Sequence, residues 1–315
     1  MSRQATKTRS ESPVKLIAAG DIANLFGIAV LGAISWFLPE PRWLGFCRAV
    51  GRFNLPMMTS DVEATLGAIG AALGERNVGA TPAAIAERAA AEELLGTLQL
   101  LRDYRPGGWR PETRVEGAGH IDTALAQGHG AILWVGQFVH GKLGAKIALH
   151  RAGYAVSHLS HLRHGFSPTR FGRHVLNAVR RAVEDRYLGE RVLLSDRGAG
   201  PALGVLKRRL ADNRIVTITV GAQAARPVTA RFMAGEIRVA PGAPVLAYQT
   251  GASLLPVFPL REPSGRITAV VGPPVVIDIS TDRASAVAEA VRDYAARLED
   301  VVADNPSQWL GWFDL

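Results

Sequence analysis

Ala131-Ile-Leu-Trp-Val-Gly-Gln-Phe-Val-His-Gly-Lys-Leu-Gly-Ala-Lys-Ile-Ala-Leu149 is the stretch on which the fold turns. Five apolar residues rich in strand formers run into Gly136, a short polar turn follows, and an apolar helical pattern begins near Leu143, so the stretch reads as strand, turn, helix. Such junctions are where α/β folds place their ligands. Amides at a helix start attract anions, and Gln137, His140 and Lys142 all project from this one turn. These three are the candidate catalytic residues.

Outward from this turn, strand-like runs are expected at 155–160, 191–195, 215–220, 229–232, 254–260 and 267–279, with helices near 170–185, 201–211 and 244–250 between them. Strands alternating with helices give a mixed α/β fold, a central sheet covered by helices on both faces. Upstream, Thr81-Pro82 is a helix start, with threonine as cap and proline at the first helical position, and an Ala- and Leu-rich helix should run over 83–103. A short helix around 121–127 leads into the central strand, and a last helix is expected over 284–303.

The chain has 315 residues, 48% of them apolar and 20% charged, which excludes disorder for most of its length. Residues 1–14 are the exception, a polar tail carrying Arg3, Lys7 and Arg9 against Glu11. From Ile22 to Leu38, 17 residues carry no formal charge. As a helix they span about 25 Å against a hydrocarbon core of about 30 Å, which favours insertion into one leaflet, or a thinned span, over a comfortable crossing. A buried core helix is the alternative. Trp36, Trp43, Arg42 and Arg48 flank the run as an interfacial belt would, and no small-x-small cleavage site marks a signal peptide. The single cysteine, Cys47, excludes an internal disulfide and a cysteine-built metal site, and should pack near the N-terminal helix.

A net charge of +8 suits an anionic partner, and one window concentrates it. No carboxylate lies between Asp122 and Glu184, while Lys142, Lys146, Arg151, Arg163, Arg170, Arg173, Arg180 and Arg181 do. His161, Arg163 and Arg170 are the candidate substrate-binding residues, offered to phosphate-bearing headgroups, phosphopantetheine carriers or coenzyme A. His158-Leu-Ser-His161-Leu-Arg-His164 could suggest a metal, but it sits at a strand end with no carboxylate or cysteine nearby in sequence, so no metal is expected. Gly136-Gln-Phe-Val-His-Gly141-Lys142-Leu143 nearly matches a phosphate-binding loop of nucleotide hydrolases, with Leu143 where the magnesium-binding hydroxyl belongs. Nucleic acid is not an expected partner, because the basic window is strand-rich and poor in aromatic residues.

Val115-Glu-Gly-Ala-Gly-His-Ile-Asp-Thr-Ala-Leu-Ala-Gln-Gly-His-Gly-Ala-Ile-Leu133, read on through the central turn, resembles the lipid A late acyltransferases of the lysophospholipid acyltransferase superfamily. The resemblance continues in Gly242-Ala-Pro-Val-Leu-Ala-Tyr-Gln-Thr-Gly-Ala-Ser-Leu-Leu-Pro-Val-Phe258 and in the closing Asn305-Pro-Ser-Gln-Trp-Leu310, and so covers nearly the whole chain. It implies a glycerolipid-acyltransferase-like α/β domain over 56–315, behind a membrane-associated apolar helix and amphipathic segment over 15–55. It further implies acyl transfer from an acyl carrier protein or coenzyme A thioester to a lipid or other hydrophobic acceptor, without a further cofactor. The place implied is the cytoplasmic face of a bacterial inner membrane, with peripheral attachment or a single N-terminal anchor.

Family members use a histidine base oriented by an acid five residues later, and the positions that match this motif hold Gln137 and Lys142. Glutamine cannot accept a proton, and a positioned base is worth about 10² to 10⁴ in rate. His140 lies three residues after Gln137 and so shares a face with it on a helical turn; an orienting partner would have to come from elsewhere, leaving Gln137 and Lys142 as donors to an oxyanion or phosphate. A second acidic motif of the family also looks altered, since Val220-Gly-Ala-Gln-Ala224 stands in its place. A catalytically inactive homologue that binds acyl chains or phospholipid and supports a partner enzyme is the alternative.

Overall fold

A computed structural model describes residues 15–76, 78–161, 167, 169–194, 199–221, 224 and 226–315. The polar tail, Arg163, His164 and, of the altered motif, Ala222 and Gln223 lie outside them. Four helices come first, α1 (Ala19–Phe37), α2 (Trp43–Met58), α3 (Val62–Leu73) and α4 (Pro82–Arg102). As the sequence predicts, Thr81 caps α4, its hydroxyl accepting from the Ala84 amide at 3.3 Å. α3 is not announced by its small, glycine-containing sequence, since each interior glycine costs about 1 kcal/mol relative to alanine. It forms because Asp61 accepts from the Ala64 amide at 2.9 Å and Ile69, Ala72 and Leu73 are buried. α2 crosses α4 at Gly51, where a Cβ would stand 2.9 Å from that of Ala91 and 3.1 Å from the Glu87 carbonyl oxygen. Only a glycine admits that approach.

The sheet and its cover follow: β1 (Thr113–Glu116), α5 (Ala118–Ala126), β2 (Ala131–Val135), α6 (Gly144–Arg151), β3 (Val156–His161), α7 (Asn177–Glu184), β4 (Glu190–Leu194), α8 (Gly200–Ala211), β5 (Ile215–Thr219), β6 (Val228–Phe232), β7 (Gly235–Val239), α9 (Gly242–Thr250), β8 (Ser253–Arg261), β9 (Ile267–Val271) and α10 (Arg283–Asp304). Seven strands form one sheet in the order β1-β9-β8-β2-β5-β3-β4, parallel except where β8 meets β9. β2 lies at its centre with all five side chains buried, as a strand covered on both faces must. Trp134 packs on Tyr294 of α10, ring centroids 4.2 Å apart. β6 and β7 make a separate antiparallel hairpin. β9 is shorter than its apolar pattern, because Pro273 and Pro274 follow Gly272 and cannot donate to a ladder.

α1 is not the buried core helix the sequence left open. Its buried residues are the polar Asp21 and Ser35, while Ile22, Leu25, Phe26, Val30 and Phe37 are exposed. Among the described residues it is the helix long and apolar enough to cross a membrane. Trp43 does not join Trp36 in an interfacial belt: it is 1% exposed, packs with Cys47 and Leu94, and donates its indole N–H to the Leu38 carbonyl at 3.0 Å. Cys47 is buried beside it, and burial pushes its thiol up to about 12.

Gly117 opens α5 in the left-handed region at φ +72°, and a Cβ there would lie 2.1 Å from the Val271 carbonyl oxygen. Gly117→Ala should therefore combine left-handed strain of about 1–3 kcal/mol with displacement of β9. A urea midpoint within error of wild type would show that this turn can relax at no cost.

Candidate active site

The turn after β2 leaves the sheet between β5 and β8, and neighbours on either side fix its backbone. The Gly136 amide donates to Val257 at 2.8 Å, the Phe138 amide to Gly136 at 2.8 Å and the Gly141 amide to Phe138 at 3.0 Å. These amides bond to carbonyls, two of them within the turn itself, so they do not form a cradle of free donors for phosphate. With Leu143 in place of a hydroxyl residue, the nucleotide-hydrolase reading loses its geometric basis.

The three polar residues of the turn each meet a carboxylate from a distant part of the chain. Gln137 Nε2 donates to Asp314 Oδ2 at 2.7 Å. The C-terminal segment delivers that acid: Gln308 bonds both the amide (2.7 Å) and the carbonyl (2.9 Å) of Arg261, and the Leu310 amide donates to Gln137 O at 2.8 Å. Lys142 Nζ donates to Glu93 Oε1 at 2.5 Å. Burial pulls the Lys142 ammonium below the ordinary lysine value, with Glu93 acting in the opposite direction.

His140 points the other way. It is 2% exposed, and its Nε2 lies 3.4 Å from Glu92 Oε2. Glu92 in turn accepts from Arg261 of β8, at 2.5 Å from Nη2 and 3.2 Å from Nε. Burial alone would raise the Glu92 carboxyl, yet the His140 and Arg261 hydrogen bonds outweigh it and hold the group down at about 2. A carboxylate thus stands beside the His140 imidazole, one residue before the acid that holds Lys142. Neither was legible in the sequence, because Glu92-Glu93 in an Ala- and Leu-rich helix reads as a solvated pair.

A cleft of about 420 Å³ opens above the turn. Ile28 and Leu31 of α1, Met57 and Met58 of α2, and Leu94 of α4 give it an apolar wall, while Gln137, Lys142, Glu93, Asp314 and Arg180 give it a polar floor. Its size and mixed lining suit a small ligand with an apolar body and a polar end. Gln137 and Lys142 reach it, whereas His140 lines a much smaller, adjoining pocket with Gly96 and Gly144, which shares Glu93, Lys142 and Arg180 with the cleft. His161 and Arg170 do not line the cleft; His161 ends β3, two strands from β2, and the Arg170 amide bonds the Lys15 carbonyl at 3.0 Å.

Two cations of the acid-free window, Lys142 and Lys146, are bound into the fold by acids from outside it, and Arg151 by a backbone carbonyl. Lys146 pairs with Glu184 at 2.7 Å, Glu184 also meets Arg191 at 2.9 Å, and Arg151 donates to the Pro111 carbonyl. His158 bonds Thr217 at 2.8 Å. Among the described residues no histidine, cysteine, aspartate and glutamate group is placed to hold a metal.

A mixed sheet with its polar turn at the carboxyl end of the central strand, under a cleft with an apolar wall and a polar floor, is an α/β architecture of the kind that places ligands at such a turn. The family model described as bacterial lipid A biosynthesis acyltransferase matches residues 15–314, and the chain belongs to that family. No curated protein matches it.

Glu92→Gln keeps the shape of the pair but leaves Arg261 buried without its counter-charge, a change that should cost about 3–5 kcal/mol at neutral pH. Because the folded carboxyl lies below its ordinary value of 4.5, its stabilisation is present above that pH and fades as pH falls toward about 2. The stability gap between wild type and Glu92→Gln should therefore narrow across that interval. A gap that stays constant from neutral pH down to 2 would show that the carboxylate is not held by these partners.

Proposed function

We propose that the protein is a membrane-associated acyltransferase that takes an acyl group from a carrier-protein or coenzyme A thioester and passes it to a lipid or other hydrophobic acceptor. The observation that carries the reading is the cleft, whose apolar wall comes from α1, α2 and α4 and whose floor presents Gln137 and Lys142. An acyl chain lies along the wall, and the thioester carbonyl sits over the turn. The Gln137 amide and the Lys142 ammonium donate to the oxygen as it gains charge. The acceptor hydroxyl or amine forms the new bond to the acyl carbon, its proton passes to a base, and the C–S bond breaks with the thiol as leaving group.

The base is where this site departs from the usual histidine–acid pair. His140 with Glu92 supplies such a pair at the adjoining pocket, and the role requires that pocket to open to the cleft beside Gly96 and Gly144. Two carboxylates border the cleft, Glu93 bonded to Lys142 and Asp314 bonded to Gln137, and Asp314 is the one not paired with a cation there among the described residues. Burial of His140 and the pairing of Gln137 and Lys142 with acids favour a second reading, in which the protein binds acyl lipid without turning it over.

Transfer of labelled acyl groups from both thioesters into extracted membrane lipids separates these readings. Wild-type transfer that falls about 10² to 10⁴ in His140→Ala places the base on the imidazole; the same loss in Asp314→Asn with His140→Ala active places it on the carboxylate. Acyl-lipid binding without wild-type transfer, with transfer gained by Gln137→His, supports the second reading. Neither binding nor transfer would sink both.

A further inference from the structure

We propose that α1 lies flat in one leaflet of an anionic bilayer, parallel to its surface, and does not cross it. The proposal rests on the membrane association proposed above. Its first support is the exposed face of α1. Ile22, Leu25, Phe26, Ala29, Val30, Ala33 and Phe37 follow the spacing of one helical face, and all are exposed, Phe26 by 71% and Phe37 by 84%. Met57 of α2, also exposed, lines the cleft together with Ala23 of α1. No polar side chain interrupts the stripe.

The second support is that α1 is fastened to the folded domain at both ends. At its start the Asp21 carboxylate accepts from the Ser167 hydroxyl and, at 2.8 Å, from that of Thr169, while the Arg170 and Phe171 amides donate to the Lys15 and Leu16 carbonyls at 3.0 Å each. At its far end Arg102 donates to the carbonyls of Ser35 (2.8 Å) and Trp36 (3.1 Å), Arg105 donates to Trp36 at 3.1 Å, and the Trp36 indole donates to Leu101 at 3.4 Å. An upright helix must carry one end away from the domain by nearly its whole length, about 28 Å for 19 residues. Doing so would break one clamp, and release of the first would leave the buried hydroxyls of Ser167 and Thr169 without their acceptor.

Charge supplies the third support and selects the occupant. Lys15 and Arg170 mark one end of the stripe, and Arg42 and Arg105 the other, all of them exposed. Glu40, at the second end, is held by the Trp109 indole at 2.9 Å. A cationic rim around an apolar helical face matches the interfacial position beneath anionic headgroups. This orientation also sets the cleft, whose wall is the inner side of α1, at headgroup level, so that an acyl chain can enter it from the leaflet.

The test uses the full chain with a single environment-sensitive fluorophore on Ile22→Cys, Phe26→Cys, Val30→Cys or Phe37→Cys, bound to phosphatidylethanolamine–phosphatidylglycerol vesicles carrying nitroxides at shallow or deep chain positions. Cys47 is buried, so the labelled parent serves as the blank. An in-plane helix sits about 5–10 Å into the boundary, and all four probes should lose emission to the shallow nitroxide. A crossing helix would place Val30→Cys near the deep nitroxide, about 15 Å from either edge, with Ile22→Cys and Phe37→Cys at opposite interfaces, and would overturn the proposal while leaving membrane association intact. No quenching at any position would remove membrane association itself, and this proposal with it.

Discussion

The Glu92 carboxylate is the point at which three separately built parts of the molecule are joined. It comes from α4, it holds the His140 imidazole of the turn, and it takes two hydrogen bonds from Arg261 at the end of β8. A charge this deep is stable only when its partners are complete, so helix, turn and strand must arrive together. The constraint propagates. Arg261 lends its backbone to Gln308, the C-terminal segment is thereby fixed, and Asp314 reaches Gln137.

Much of the fold was legible because hydrophobic period and breakers agree. β2 with its glycine turn, α4 with Thr81-Pro82 and α10 all fall within a few residues of their expected bounds. α3 and β7 were not legible, for a shared reason: each depends on packing its own sequence does not announce. α3 is rich in small residues that are weak signals without Asp61 and a wall to bury against, and β7 alternates polar and apolar residues too briefly to stand out before β6 supplies its ladder.

The site was legible to half its depth. The turn and its three polar residues stand in one contiguous stretch, so their proximity needed no tertiary information. Their acids did not, for Glu92, Glu93 and Asp314 lie between 48 and 177 positions from their partners, at separations that only folding closes. The same blindness explains the acid-free window. A run of cations without acids looks like a binding surface in one dimension, while in three dimensions Glu93 and Glu184 neutralise Lys142 and Lys146 from neighbouring elements.

The glycine crossing between α2 and α4 carries a mechanical meaning. With Gly51 against Ala91 there is no side chain to act as a bearing, and the two backbones cannot slide past one another without collision. Ala91 directly precedes Glu92 and Glu93. Any tilt imposed on α2 by its surroundings is thus delivered, with little slack, to the two carboxylates that brace the turn, which makes the N-terminal helices a lever on the turn as well as a wall beside it.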